Sequence, residues 1–233
     1  MSFTKRIICL SNSIKLNECC IAGIDLDTRN WVRPVCDKLY PKDGRVPIRV
    51  ARLIEGRQPE LLDILEIPLA SSGNNFGFEC ENLSVLPGQW KFIGRANFSE
   101  VRTYLRDYPA ILHNPLRCVY PSYLRDLAFH QRRSLQLVDV NRMSFFKESS
   151  GWRGSLTTSN GQVLEKLKIT DPVFVSKLDK GHRPTGPFLV TVSLSMPFLP
   201  SDQQGEAPCW KLIAGVIEMP QSVSELDSYD IPF

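Results

Sequence analysis

The chain has 233 residues, 42% of them hydrophobic, with 28 Lys and Arg against 25 Asp and Glu. That length and apolar content suit one large or two small globular domains. No run approaches the roughly eighteen uninterrupted apolar residues of a membrane span, and the run Ile7 to Leu10 is broken by Ser11, Asn12 and Ser13 too early for a secretory signal.

The first third reads as β-structure. Arg6 to Leu10 is apolar and β-branched, and Cys19 to Leu26 is a second run that ends in the turn-like Asp27-Thr28-Arg29-Asn30. Trp31-Val32-Arg33 opens a short third strand limited by Pro34, which cannot donate to a ladder. A loop rich in Pro, Gly and charge follows from Tyr40 to Pro47. Leu61 to Leu69 alternates as a half-buried strand, with Asp63 and Glu66 expected toward solvent. Phe76 to Val85 is a further candidate strand. Several short strands with glycine turns point to a small barrel or sandwich.

Asn97-Phe98-Ser99-Glu100 has capping-box spacing and predicts a helix that ends by Pro109, and a weaker helix is expected from about Ser122 to Gln131. Strand signals resume at Leu135 to Val140 and Met143 to Phe146. Trp152 to Thr158 and Gln162 to Ile169 form a hairpin-like pair through Ser159-Asn160-Gly161. Thr170-Asp171-Pro172 predicts a helix start with proline at the first helical position. Phe188 to Met196 and Trp210 to Glu218 complete a second half that repeats the architecture of the first.

Charge is unevenly placed. Residues 1–133 hold 19 Lys and Arg against 14 Asp and Glu, and residues 134–233 hold 9 against 11. Arg29, Arg33, Lys38, Lys42, Arg45, Arg49, Arg52 and Arg57 face only Asp37, Asp43 and Glu55 in the same stretch. Arginine forks suit phosphates, and single-strand binders combine such cations with aromatic platforms for bases. The candidate nucleic-acid residues are therefore Arg29, Trp31, Arg33, Lys38, Tyr40, Arg45, Arg49, Arg52, Trp90, Lys91 and Arg95, with Trp152 and Arg153 in the second half. Trp31, Tyr40 and Trp90 are the expected stacking rings, and Trp210 is expected in the core.

Catalytic patterns are weaker. Glu79-Cys80-Glu81 and Asp63/Glu66 place carboxylates close together, as a metal-dependent nuclease would need, but without the accompanying lysine. Cys209 and His182 are nucleophile and base types with nothing in the sequence to position them, and Asp171 reads as a helix cap. The seven cysteines are odd in number, form no Cys-x-x-Cys pair and lie mostly among apolar residues, and the three histidines are far apart. The expectation is reduced thiols in a cytoplasmic protein, with no metal, no cofactor and no enzymatic activity.

Lys5 to Leu10, Trp31-Val32-Arg33-Pro34-Val35, Leu62-Asp63-Ile64, Thr170-Asp171-Pro172, Ser193-Leu194 and Trp210 to Ile217 together resemble a bacterial dual OB-fold domain family. The resemblance implies a mainly β fold with short helices (α+β), built of two OB-like β-barrels joined by a helical connector, and a nucleic-acid-binding role. The corresponding division is a first barrel at 1–96, the connector at 97–133, a second barrel at 134–219 and an acidic tail at 220–233.

That tail has no Lys or Arg and finishes Asp227-Ser-Tyr-Asp230-Ile231-Pro232-Phe233. It resembles the acidic tip of bacterial single-stranded DNA-binding proteins, though with a much shorter linker. The implied role of Asp227, Asp230, Ile231, Pro232 and Phe233 is docking in a basic-rimmed apolar pocket on a helicase, nuclease or other DNA-processing enzyme. The expectation is a single-stranded DNA-binding protein that recruits such partners. A nucleic-acid-processing enzyme subunit and a scaffold that binds no DNA are the alternatives.

Overall fold

The computed structural model describes residues 3–201 and 204–219. Two β-barrels share one topology. The first is formed by β1 (Phe3–Lys15), β2 (Glu18–Asp25), β3 (Trp31–Val35), β4 (Asp63–Leu69) and β5 (Asn82–Ser84), with β6 (Lys91–Arg95) prolonging the fifth arm along β4. Its ring runs β1-β2-β3-β5-β4 and closes where Leu69 bridges Val85. The Ala70 amide donates to the Ser84 carbonyl at 2.8 Å across the same seam. After a two-residue β7 (Cys118–Val119), the second barrel uses β8 (Leu135–Glu148), β9 (Gly151–Thr158), β10 (Val163–Ile169), β11 (Phe188–Leu194) and β12 (Cys209–Glu218). It closes through parallel pairing of β10 with β12, Lys168 opposite Leu212 and Ile169 opposite Ile213. In each ring the third strand runs parallel to the fifth. A helix also separates the third and fourth strands in each: α1 (Ile48–Ala51) in the first and α4 (Pro172–Asp179) in the second. These are two OB-like barrels in a mainly β chain, as the sequence resemblance implies.

Period-two alternation explains how the barrels pack. On β1, Ile7 and Cys9 point into the first barrel's core, and Ile8 and Leu10 point out of it into a separate apolar cluster with Leu137 and Leu189 of the second barrel. The continuous run Ile7 to Leu10 is thus buried on both faces. On β11, Phe188 and Val190 enter the second core while Leu189 joins the cluster between the barrels. Two short helices lie in the connector, α2 (Phe98–Arg102) and α3 (Pro121–Asp126). Phe98 and Val101 of α2 complete the same cluster.

Local sequence signals account for several ends. Asn97 caps α2 by accepting from the Glu100 amide at 2.9 Å. Asp171 caps α4 by accepting from the Val173 and Phe174 amides, both at 3.0 Å. The first connector helix stops at Arg102, ahead of Pro109 as expected, after which the chain is held by Arg29 lying over the Tyr104 ring. Other expectations are corrected. The second helix is α3 followed by one 3-10 turn, Phe129–Gln131. Phe76 to Val85 yields only the three residues of β5, and the two strands expected between Leu135 and Phe146 are one strand with a bulge between Val140 and Arg142. Strand β3 continues through Pro34 because Arg33 and Val35 make the bonds on the β5 side, Arg33 through its amide and Val35 through its carbonyl. Asp63 does not face solvent: it is fully buried and accepts from Arg57 at 2.6 Å and Arg95 at 3.0 Å.

Candidate nucleic-acid interface

A cleft of about 990 Å³ lies between the barrels, and both barrels present the same part of the fold to it. The first contributes the β1–β2 turn (Ile14, Lys15, Leu16), β2 (Cys20, Ala22) and β3 (Arg33). The second contributes the β8–β9 turn (Glu148, Ser150), β9 (Arg153), β10 (Lys166, Lys168) and the β11–β12 connection (Pro197, Phe198, Pro200). Strands two and three with the 1–2 and 4–5 loops are the face through which OB-folds hold oligonucleotides and oligosaccharides. Here two such faces line one cleft.

Its charge is lopsided. Eight cationic residues line it (Lys15, Arg33, Arg45, Arg117, Arg153, Lys166, Lys168 and Lys211), against three acids (Asp43, Glu79 and Glu148). The acids are occupied. Asp43 takes Lys15 at 3.2 Å and Arg45 at 3.1 Å, Glu148 takes Arg153 at 3.0 Å, and Glu79 takes Arg33. Burial works against the Arg33 charge, but Glu79 and Glu81 outweigh it and raise its pKa. Arg33 also reaches Ser193 across the cleft, its Nη2 donating to Oγ at 3.3 Å.

Lys211 is a strut. Burial pushes its ammonium down to about 8, and it donates to the Ile111 carbonyl and the Asn114 carbonyl, each at 2.5 Å. It pins the connector beneath Arg117, whose carbonyl accepts from the Lys211 amide at 2.8 Å. Arg117, Lys166 and Lys168 are exposed and make no ion pair among the described residues. Lys166 lies in a bulge on β10, between the paired Leu164 and Leu167, with a φ of 56°. These three cations are free to meet an anionic ligand. The aromatic residues of the cleft are Phe198, 61% exposed, and Trp210, whose indole donates to the Phe198 carbonyl at 2.8 Å.

Of the residues singled out from sequence, Arg33, Arg45 and Arg153 line the cleft. The others lie elsewhere. Arg29 stacks on Tyr104 and donates to the Thr103 carbonyl. Trp31 packs against the apolar cluster between the barrels. Tyr40 lies under Arg45 and donates to Glu18. Lys38, Arg49 and Arg52 are exposed away from the cleft lining, Lys91 pairs with Glu66, and Arg95 pairs with Asp63. Trp90 and Trp152 are corrections. Trp90 is fully buried in the first core, and Trp152 is buried in the second with its indole on Asp179, so neither ring is open to a base. Trp210, expected in the core, is half-buried in the cleft wall.

Sequence reasoning passed over Lys15, Arg117, Lys166, Lys168 and Phe198. The pattern Leu164-Glu-Lys166-Leu167-Lys168-Ile169 was a usable signal, since Lys168 alternates with buried Leu167 and Ile169 on one strand.

The carboxylates considered for metal chemistry are structural. Glu79 also accepts from Asn82 at 2.6 Å, and Glu81 accepts from the Ser134 amide at 2.7 Å and its hydroxyl at 3.0 Å, clamping the start of β8 to the first barrel. Among the described residues no group of three His, Cys, Asp or Glu could hold a metal ion, and no helix is long and apolar enough to cross a membrane. The tail residues Asp227 to Phe233 lie outside the described residues.

Comparison with known families finds one whose model, described as a dual OB-containing domain, matches residues 5–216. No curated protein and no solved structure matches the chain.

Proposed function

The chain belongs to the dual OB-containing domain family, and from that premise we propose that it binds single-stranded DNA in the cleft between its barrels, as a binding protein and not an enzyme. One observation carries the reading: the ligand-holding faces of both OB-like barrels line a single cleft on which Arg117, Lys166 and Lys168 have no acidic partner among the described residues. A phosphate backbone satisfies those charges, and Phe198 and the half-buried Trp210 offer faces to unstacked bases.

Anisotropy with labelled oligonucleotides over a salt series tests it. Three phosphate contacts give a slope of log K on log salt of about −2 for a single strand, so affinity falls roughly 20-fold between 50 and 200 mM salt. Duplex DNA of the same sequence binds more weakly. A flat salt response, or no binding at low salt, overturns the reading.

The acidic tail supports a second part of the proposal. Asp227, Asp230, Ile231, Pro232 and Phe233 dock on a helicase, nuclease or other DNA-processing enzyme in the cytoplasm, in replication, repair, recombination or antiviral defence. The support is the likeness of Asp230-Ile231-Pro232-Phe233 to the tip of single-stranded DNA-binding proteins. Removal of these four residues abolishes binding to such an enzyme and leaves oligonucleotide affinity unchanged or higher. Loss of oligonucleotide binding on that deletion contradicts the assignment.

A further inference from the structure

The β1–β2 turn is built against two ordinary preferences at once. Lys15 pairs with Glu18, so Leu16 and Asn17 alone make the turn, with φ of 49° and 61°. A two-residue turn with both φ values positive favours Asn-Gly, because Cβ crowds the following carbonyl in the left-handed region, and glycine lacks it while the polar side chain of Asn or Asp offsets it by bonding locally to the backbone. Leucine occupies the first position. Its side chain is also 71% exposed, and Ile14 on the same hairpin is 43% exposed. Asparagine at this position would ease the backbone and remove the apolar group from water, so the fold itself gains nothing from leucine. Strained backbone of this kind gathers at functional sites.

Leu16 lines the cationic cleft, and so does Phe198 from the other barrel. The backbone of Phe198 is held on both sides. Its carbonyl accepts from the Trp210 indole at 2.8 Å, and its amide donates to the Pro208 carbonyl at 3.0 Å. Exposed apolar side chains therefore come from both barrels, Leu16 beside Ile14 from the first and Phe198 from the second. The occupant must offer apolar faces to both while its attached charge reaches Lys166, Lys168 and Arg117. A nucleobase on a phosphate backbone has that chemistry. An apolar peptide or lipid tail leaves the three cations unanswered.

We infer that Leu16 and Phe198 are ligand-contacting residues that clamp one unpaired nucleobase of the bound strand. The inference rests on the single-strand reading and adds the contact that a base, not a phosphate, makes.

The test uses the full chain, a labelled DNA oligonucleotide and copies of it with one abasic site at successive positions. Leu16→Asn melts at the same or higher temperature than wild type and binds about 5- to 150-fold more weakly, the range of one stacked base. Its salt slope is unchanged because no phosphate contact is lost. In wild type one abasic position weakens binding by a similar factor, and in Leu16→Asn that position costs nothing further. Phe198→Ala gives a matching loss, and the double variant is no worse than the weaker single one. Wild-type affinity in Leu16→Asn, a lower melting temperature, or a uniform abasic profile overturns the clamp and leaves the cleft reading standing. Failure of wild type to bind the intact oligonucleotide instead overturns the cleft reading and the clamp with it.

Discussion

The Thr191 hydroxyl donates to the Leu10 carbonyl at 2.6 Å, fully buried, across the boundary between the two barrels. The pairing is irregular there on both sides: β1 carries an extra residue, Leu10, between Cys9 and Ser11, and β12 carries one, Ala214, opposite the step from Thr191 to Val192. Gly215 sits opposite Thr191 on β12, and a Cβ there would stand 2.3 Å from the same Leu10 oxygen. The two bulges and one missing side chain let β1 lie directly on the second barrel. The relative placement of the barrels, and with it the width of the cleft, is set by backbone contact.

Two substitutions address that contact. Thr191→Val keeps the shape and removes the donor, at an expected cost of about 1–3 kcal/mol for stranding a buried acceptor. Gly215→Ala forces the strands apart and costs about 1–3 kcal/mol or more. Urea unfolding of each variant gives the values. Unchanged midpoints would show that the barrels are not held through Leu10.

The free cations separate from the paired ones by salt dependence. Lys166→Ala, Lys168→Ala and Arg117→Ala each reduce the magnitude of the log K against log salt slope by roughly one contact's share, about 0.7 for a single strand. Lys38→Ala, Arg52→Ala and Lys91→Ala leave both affinity and slope within error, because none lines the cleft. Equal losses in both sets would place the strand on another face.

Much of this architecture follows from local pattern, and the site much less so. The Asp171-Pro172 start of α4, the β9–β10 hairpin and the Cys19 to Leu26 strand depend on residues within a few positions of each other, and they fold as their sequence reads. Asp63 shows a missed inference, since it shares parity with buried Leu65, Ile67 and Leu69, and alternation alone placed it inward. Trp152 is a second one, in phase with buried Gly154, Leu156 and Thr158 on β9, whereas Trp90 had no comparable signal. Trp90 is buried where it bridges to Leu53, a pairing that spans almost forty residues of chain. The cleft brings Lys15 beside elements as distant as Lys168, and the pairing of Arg29 with Tyr104 or Lys91 with Glu66 removes cations that looked available. Which charges stay free is a property of long-range closure.

Alkaline pH should weaken the fold through its thiols. Burial pushes Cys19 and Cys36 up to about 11 and Cys80 and Cys209 up to about 12, and it raises Cys9 further, from an ordinary value of 9.0. Below pH 9 both folded and unfolded chains keep these protons, so their contribution is fully present. Above pH 9 only the unfolded chain releases them, and stability falls by up to about 1.4 kcal/mol per pH unit for each fully buried thiol. Lys211 acts the other way between about 8 and its ordinary 10.5, because there the unfolded chain holds a proton that the folded chain has lost. Burial raises Cys20 as well, so one lysine opposes six thiols, and stability peaks near pH 9 and then drops. Urea titrations under reducing conditions follow this, and Cys209→Ala shallows the alkaline slope. A flat profile to pH 11 would contradict the assigned burial effects.

Arg33 provides the sharpest contrast between a structural and a ligand-binding role. It was expected to neutralise phosphate, yet it is largely buried, paired with Glu79 and close to Glu81. Arg33→Met leaves Glu79 buried and uncompensated, at an expected cost of about 3–5 kcal/mol. Replacing both partners removes the charge and its penalty together, so Arg33→Met/Glu79→Met recovers most of that loss. If the role is structural, the double variant binds oligonucleotide with the wild-type salt slope. A slope reduced by one contact's share in a well-folded double variant would mean that Arg33 turns from Glu79 to phosphate when the strand enters, and the ion pair would then be a latch on the cleft floor.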